Sequence, residues 1–314
     1  MQAYTLTTPS GPEGLSLTEL PSPTPGAGEV AIRVRAISLN PVDFKTARGK
    51  ALYGSLREQA PVVLGWDVSG EVTAVGDGVE DFRVDDAVFG MVNFPGHGQA
   101  YAEVVIAPAV HLARKPSNVS HIDAAAATLA ALTAWQNLVD LARIEKGQRV
   151  LIHAAGGGVG HFAVQLAKER GAYVIGTSSA GKRDFILELG ADEHVDYHEH
   201  QFEDVLEPVD VVLESLGPEH LERSLQLVKP GGKLLTIAAG LSDHLQERAE
   251  WKSVELHHHL VYSDGEQQTA IAERLADGRL RAHVSRTYPF AELPAALREL
   301  EKGRTQAKII VTVP

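Results

Sequence analysis

Arg149-Val150-Leu151-Ile152-His153-Ala154-Ala155-Gly156-Gly157-Gly158-Val159-Gly160 runs without a break into His161-Phe162-Ala163-Val164-Gln165-Leu166-Ala167-Lys168. Val150 to Ile152 form a short continuous apolar run, the pattern of a parallel strand buried on both faces. Past Gly158, apolar residues recur at Val159, Phe162, Ala163, Leu166 and Ala167, one face of a helix that Gly171 would stop. Strand, glycine cluster and helix in that order make a cradle for a diphosphate. Glycines let backbone N–H groups and the positive end of a helix come close to the anion. The phrase Ala155-x-Gly157-x-x-Gly160 follows the dinucleotide fingerprint, with alanine in the place of its first glycine.

Working outward, the pattern after this stretch alternates. Strands are expected at Tyr173 to Thr177, His194 to Asp196, Val209 to Leu213 and Lys233 to Ile237, with helical segments between them, as in a doubly wound parallel sheet. Just before it, Asp123 is expected to cap a helix carrying Ala124 to Ala127, Ala130, Ala131, Trp135 and Leu138. Earlier still the texture is different. Short extended pieces at Glu29 to Ile37, Gly70 to Val75, Ala87 to Gly90 and Tyr101 to Ile106 are separated by proline and glycine turns, indicating an antiparallel β barrel or sandwich. Beyond Val261 come helices at Gln267 to Ala276 and Glu292 to Lys302. The strand-like Ala307 to Val313 then closes the chain and is expected to return to the N-terminal domain.

Composition narrows the chemistry. The chain has 314 residues, 44% hydrophobic and 22% charged, the profile of a globular protein of about two domains. A net charge of −12 argues against general binding to nucleic acid or anionic membrane. Cysteine is absent, so disulfides, a thiol nucleophile and cysteine-ligated zinc are excluded. Met1 to Leu6 lack a basic segment followed by an apolar one, and no run of about 18 apolar residues occurs, so a cytoplasmic location is expected.

A set of phrases in fixed order resembles the medium-chain dehydrogenase/reductases, in particular their zinc-independent quinone oxidoreductase and enone reductase branch. They are Asn40-Pro41-Val42-Asp43-Phe44-Lys45, Gly65-Trp66-Asp67-Val68-Ser69-Gly70, Val75-Gly76-Asp77-Gly78-Val79, Leu132-Thr133-Ala134-Trp135, the glycine stretch, Lys229-Pro230-Gly231-Gly232-Lys233 and Ala307-Lys308-Ile309-Ile310-Val311. The resemblance implies an α/β chain in which a Rossmann doubly wound parallel sheet is inserted in a GroES-like β-barrel catalytic domain, with the active site in the cleft between. The expected limits are 1–122 for the catalytic domain, 123–262 for the nucleotide domain and 263–314 for the return. Zinc-dependent relatives carry a cysteine near Asn40 and Gly-His-Glu where this chain has Gly65-Trp66-Asp67. No metal site is therefore expected.

NADPH is the expected cofactor. NAD-preferring sheets place an acid after the second strand, whereas Gly176-Thr177-Ser178-Ser179-Ala180-Gly181-Lys182-Arg183 offers hydroxyls and two cations. The candidate cofactor residues begin with Ala155, Gly157, Gly158, Val159 and Gly160 at the diphosphate. Ser178, Ser179, Lys182 and Arg183 follow at the 2′-phosphate, and by resemblance Tyr197 lies beside it. Also by resemblance, Thr133, Ser215, Leu216, Ile237 and Ala238 lie along the nicotinamide half, with Lys308 a contact from the C-terminal segment. Asn40, Lys45 and Tyr53 are the candidate catalytic residues: Asn40 to orient, Lys45 to stabilise an enolate or relay a proton, Tyr53 to line the substrate site or donate a proton. Asp67 is expected to hold loops of the first domain.

Without zinc or thiol, the simplest chemistry is hydride transfer from NADPH to a quinone or an α,β-unsaturated carbonyl, whose conjugation spreads the developing charge onto oxygen. Two competing readings are a non-catalytic NADPH-binding redox-sensing protein and a zinc-type alcohol dehydrogenase. The runs His257-His258-His259 and His198-x-His200 are expected to be core or solvated residues: neighbours in a strand point to opposite faces, so the triplet cannot face one ion, and His198 and His200, which could share a face, have no further ligand evident beside them. The expected assembly is a homodimer.

Overall fold

In a computed structural model, which describes residues 1–238 and 240–314, the chain divides into two compact units, 1–132 with 261–314, and 133–260. The limits read from the sequence were 122 and 262.

The first unit opens with the hairpin β1 (Gln2–Leu6) and β2 (Leu15–Glu19), followed by β3 (Glu29–Ser38) and the short helices α1 (Pro41–Ala47) and α2 (Tyr53–Leu56). Next come β4 (Asp67–Val75), β5 (Ala87–Met91), β6 (Val104–Pro108), β7 (Leu112–Arg114) and α3 (His121–Ala126). The alternation in β3 buries Val30, Ile32, Val34 and Ala36 completely, as its spacing requires. Two local expectations need correction. The strand expected from Tyr101 starts only at Val104, because the backbone before it is bonded elsewhere: Tyr101 O accepts from Tyr4 N–H at 2.8 Å, Tyr101 N–H donates to Leu64 O at 2.9 Å, and Ala102 bridges Ala3. The helix expected to be capped by Asp123 is capped by Ser120, whose hydroxyl accepts from the Asp123 N–H at 3.0 Å. That helix also stops at Ala126. A second one, α4 (Leu129–Trp135), starts where the Leu129 N–H donates to the buried carboxylate of Asp67 at 3.1 Å, and a π-helical turn spans Gln136–Leu141.

The second unit contains β8 (Arg149–Ile152), α5 (Gly160–Glu169), β9 (Tyr173–Ser178), α6 (Arg183–Glu188), β10 (Glu193–Asp196), α7 (Phe202–Val205), β11 (Val209–Glu214), α8 (Pro218–Leu227), β12 (Val228–Thr236), α9 (Asp243–Trp251) and β13 (Glu255–His258). Its six strands are all parallel in the order β10-β9-β8-β11-β12-β13, so the winding reverses between β8 and β11. Such a reversal is where open α/β sheets bind ligands, outside the carboxyl ends of the strands. Val150, Leu151 and Ile152 are fully buried, as their uninterrupted apolar run implies.

The chain then returns to the first unit through α10 (Gly265–Asp277), β14 (Val284–Pro289), α11 (Leu293–Glu301) and β15 (Lys308–Thr312). β15 pairs antiparallel with β3, matching Ile310 to Ser38, so the end of the chain completes the sheet of its beginning. Among the described residues no helix is long and apolar enough to cross a membrane.

Candidate active site

The glycine turn sits at the carboxyl end of β8, at the reversal point of the second unit. Ala155 N–H donates to Thr177 O at 3.0 Å, and Gly157 N–H donates to Ala154 O at 2.8 Å, which folds the chain back towards α5. The N–H groups of Gly158, Val159 and Gly160 have no acceptor among the described residues. They stand at the head of a ten-residue helix, where the peptide dipoles favour an anion. A side chain at Gly160 would meet Ala154 O and lie 2.7 Å from Ala155 Cα, so only glycine lets helix and turn close. The alanine at 155 has a local explanation. Its methyl group lies 2.8 Å from where a Cβ would stand at Gly176 on β9, so the missing side chain is on the neighbouring strand.

Lys182 reaches back over this turn. Its Cδ is 2.9 Å from the position a Cβ would take at Gly156, and burial lowers its ammonium below the ordinary lysine range. Arg183 is exposed and pairs with Asp184 at 3.2 Å. Ser178 is buried, its hydroxyl donating to Ser179 O at 2.9 Å and sharing a hydrogen bond with His194 Nε2 at 2.9 Å. Ser179 is half-buried, and Tyr197 is exposed. Asp196 holds this segment from below. Its carboxylate accepts from the N–H groups of Ala180 and His198, both at 2.9 Å. Thr133 is buried, Ser215 and Ile237 are half-buried, and Leu216 and Ala238 are exposed.

The first unit holds a second polar cluster, whose side chains bond chiefly to one another, with Asp43 Oδ1 the one buried oxygen of its carboxylates that has no hydrogen-bond partner among the described residues. Asn40 donates through Nδ2 to Asp67 Oδ2 at 2.7 Å, while its Oδ1 accepts from Lys308 Nζ at 2.6 Å. The same ammonium donates to Leu39 O at 2.9 Å. The Asn40 N–H and the Tyr101 hydroxyl both donate to Asp43 Oδ2, at 2.7 and 2.9 Å. All of these side chains are buried. Burial pushes the Asp43 carboxyl up to about 7, with the charge of Asp67 adding to it and the two donors and Lys308 opposing. It raises Asp67 and the Tyr101 phenol as well, and lowers Lys308. Trp66 is fully buried, with its indole N–H donating to Gly96 O at 2.7 Å.

Two family models match: "Alcohol dehydrogenase GroES-like domain" over residues 26–117 and "Zinc-binding dehydrogenase" over residues 189–311. The solved quinone oxidoreductase from Coxiella burnetii is 32% identical with a TM-score of 0.95, covering 100% of this chain and 99% of that one. A mycobacterial protein solved in complex with NADPH is 30% identical with a TM-score of 0.88, covering 99% of each chain. The 2-methylene-furan-3-one reductase of Solanum lycopersicum is 32% identical, across 90% of this chain and 71% of its own length. The chain belongs to the medium-chain dehydrogenase/reductases, in their quinone oxidoreductase and enone reductase branch.

In this member of the family the Trp66 and Asp67 side chains are both hydrogen-bonded within the first unit. Trp66 offers a buried indole that already donates, and the Asp67 carboxylate accepts from Asn40 and from Leu129. Lys45 is exposed on α1, and Tyr53 is half-buried at the start of α2. Asn40 and Lys308 lie together in the buried cluster, so their polar groups answer one another. The histidine runs are dispersed. His257 and His258 lie on β13 opposite Leu235 and Thr236, and His259 shares a hydrogen bond with Gln136 at 3.0 Å. Three residues went unnoticed in the sequence. His153 bridges Thr177 and Ser224 at 3.0 and 2.9 Å, and burial drops it to about 3, so it stays neutral. Asp196 is the second, and Glu214, a carboxylate ending the apolar strand β11, is the third.

Proposed function

We propose that the chain is a zinc-independent reductase that delivers hydride from NADPH to a quinone or an α,β-unsaturated carbonyl. The observation that carries this reading is the donor set at the glycine turn: three backbone N–H groups without acceptors among the described residues, at the head of α5. That set fits a dinucleotide diphosphate. Lys182 and Arg183, with Ser179 beside them, fit a 2′-phosphate, since a cation pair attracts the dianion that an acid in the same segment would repel. The relative solved with NADPH supports the same choice.

When bound, NADPH supplies the hydride, and the protein supplies placement and charge. Thr133, Ser215, Leu216, Ile237 and Ala238 are assigned to the nicotinamide half, and Tyr197 to the adenosine end. Lys45, whose ammonium is exposed, is assigned to the negative oxygen that forms when a conjugated acceptor takes hydride. Tyr53 is assigned to the substrate wall. Asn40 and Lys308 hold the loop before α1 in place through the buried cluster, and so act as positioning residues. The printed names of the relatives, a quinone oxidoreductase and a 2-methylene-furan-3-one reductase, support acceptors of this conjugated kind.

Zinc independence rests on the chemistry of positions 40, 66 and 67: an amide, an indole and a carboxylate, each already hydrogen-bonded inside the unit. The zinc-named family model matches residues 189–311, away from all three positions. Purified protein given NADPH is expected to consume it with a panel of quinones and 2-alkenals. Tight NADPH binding with no consumption across both panels would replace the reductase by a non-catalytic NADPH-binding protein.

A further inference from the structure

We infer that Glu214 is a positioning residue for the nicotinamide half of the dinucleotide, tying together the two segments that carry Ser215, Leu216, Ile237 and Ala238. The inference rests on the NADPH reading above. Glu214 is the last residue of β11, the strand next to β8 across the reversal of the sheet, and it is fully buried. One oxygen, Oε1, accepts from the N–H groups of Leu216 and Gly217, the latter at 2.9 Å. The other, Oε2, accepts from the Thr236 hydroxyl at 3.0 Å, at the end of β12. That hydroxyl in turn accepts from the Ala238 N–H at 3.3 Å, and the Ile237 N–H donates to the Glu214 carbonyl at 3.1 Å.

A single carboxylate thus fixes the loop after β11 and the loop after β12, side by side at the carboxyl edge. A buried carboxylate is costly unless hydrogen-bonded, and these donors hold it as firmly as it holds them. Glutamate is specifically suited here, because the three groups facing it donate. Glutamine would turn an NH2 group towards Thr236 Oγ1, whose hydrogen would lose its acceptor. The loop after β11 would keep one oxygen to bind, while the side-chain link to β12 would reverse its direction and compete with the Ala238 N–H for Thr236 Oγ1, leaving only the backbone bond from Ile237 as it is.

The test is a titration of wild type, Glu214→Gln and Thr236→Val with two ligands, NADPH and 2′,5′-ADP, which has the adenosine end but no nicotinamide, together with thermal melting. The dissociation constant for NADPH is expected to rise about tenfold in Glu214→Gln and less in Thr236→Val, in line with the loss of one buried hydrogen bond, while that for 2′,5′-ADP stays unchanged. Equal losses for both ligands, or none for NADPH in either variant, would overturn the role of Glu214. If Glu214→Gln does not fold, Thr236→Val decides by the same split. A wild type that binds neither ligand would overturn the NADPH site itself, and this inference with it.

Discussion

The glycine turn of the second unit and the Asn40 cluster of the first are both dense in polar groups, and they use them in opposite ways. At the turn the N–H groups of Gly158, Val159 and Gly160 have no acceptor among the described residues. In the cluster, Asn40, Asp67 and Lys308 bind one another, and Tyr101 donates to Asp43. Open donors mark a place for a ligand, whereas a closed set of partners marks a place that holds the fold. Substitutions in the cluster should therefore move stability and leave nucleotide binding alone, and removal of the cations beside the turn should do the reverse.

The sharpest break is Lys308→Met. It strands the Asp67 and Asp43 carboxyls without their cation and the Asn40 carbonyl without its donor, at a cost of about 3 to 5 kcal/mol. Urea unfolding measures this, and binding of 2′,5′-ADP to the folded protein should be unchanged. An unaltered midpoint would mean that the cluster is not what holds α1 and β15 together.

The next effect is read by pH. The Asp43 carboxyl titrates at about 7 in the folded chain, against about 3.9 when unfolded. The folded state therefore binds this proton more tightly. The stabilisation is complete below the unfolded value and is lost as pH climbs towards 7, by a few kcal/mol in all. Asp67, also raised by burial, acts in the same direction, while Lys308, lowered by burial, acts with the opposite sign. Asp43→Asn copies the neutral form. Its stability should fall less than that of wild type between pH 4 and 7, and parallel profiles would contradict the assignment.

At the turn, Gly160→Ala drives a methyl into Ala154 O and Ala155 Cα. Displacing the helix head by this much should lower kcat/KM for NADPH oxidation about a hundredfold. Steady-state rates at varied NADPH check it. Lys182→Ala with Arg183→Ala should weaken NADPH about ten- to a hundredfold and NADH much less. Equal losses for the two nucleotides would remove these cations from the 2′-phosphate.

The turn was legible in the sequence because backbone does its work. A run such as Val150 to Ile152, then glycines, then the spacing of α5 are local patterns, and the parallel sheet follows from their repetition. The Asn40 cluster was legible only as a set of family phrases. Its central bond joins residues 268 positions apart, and no local spacing reveals that Lys308 is spent on Asn40. The break between α3 and α4 was hidden for a similar reason: the run of alanines reads as one helix, and Asp67, remote in sequence, provides the new start at Leu129. Glu214 did leave a trace, a carboxylate closing the apolar run from Val211 to Leu213, but only the fold shows Thr236 opposite it.

The most direct test of the account is transfer of label from NADPH carrying deuterium at the nicotinamide C4 to a 2-alkenal, followed by mass spectrometry of the product. Deuterium at the β-carbon of a saturated aldehyde, formed in step with NADPH oxidation and without added zinc, is the predicted result. An unlabelled alkenal recovered beside unoxidised, tightly bound NADPH, with no label passed to quinones either, would contradict it.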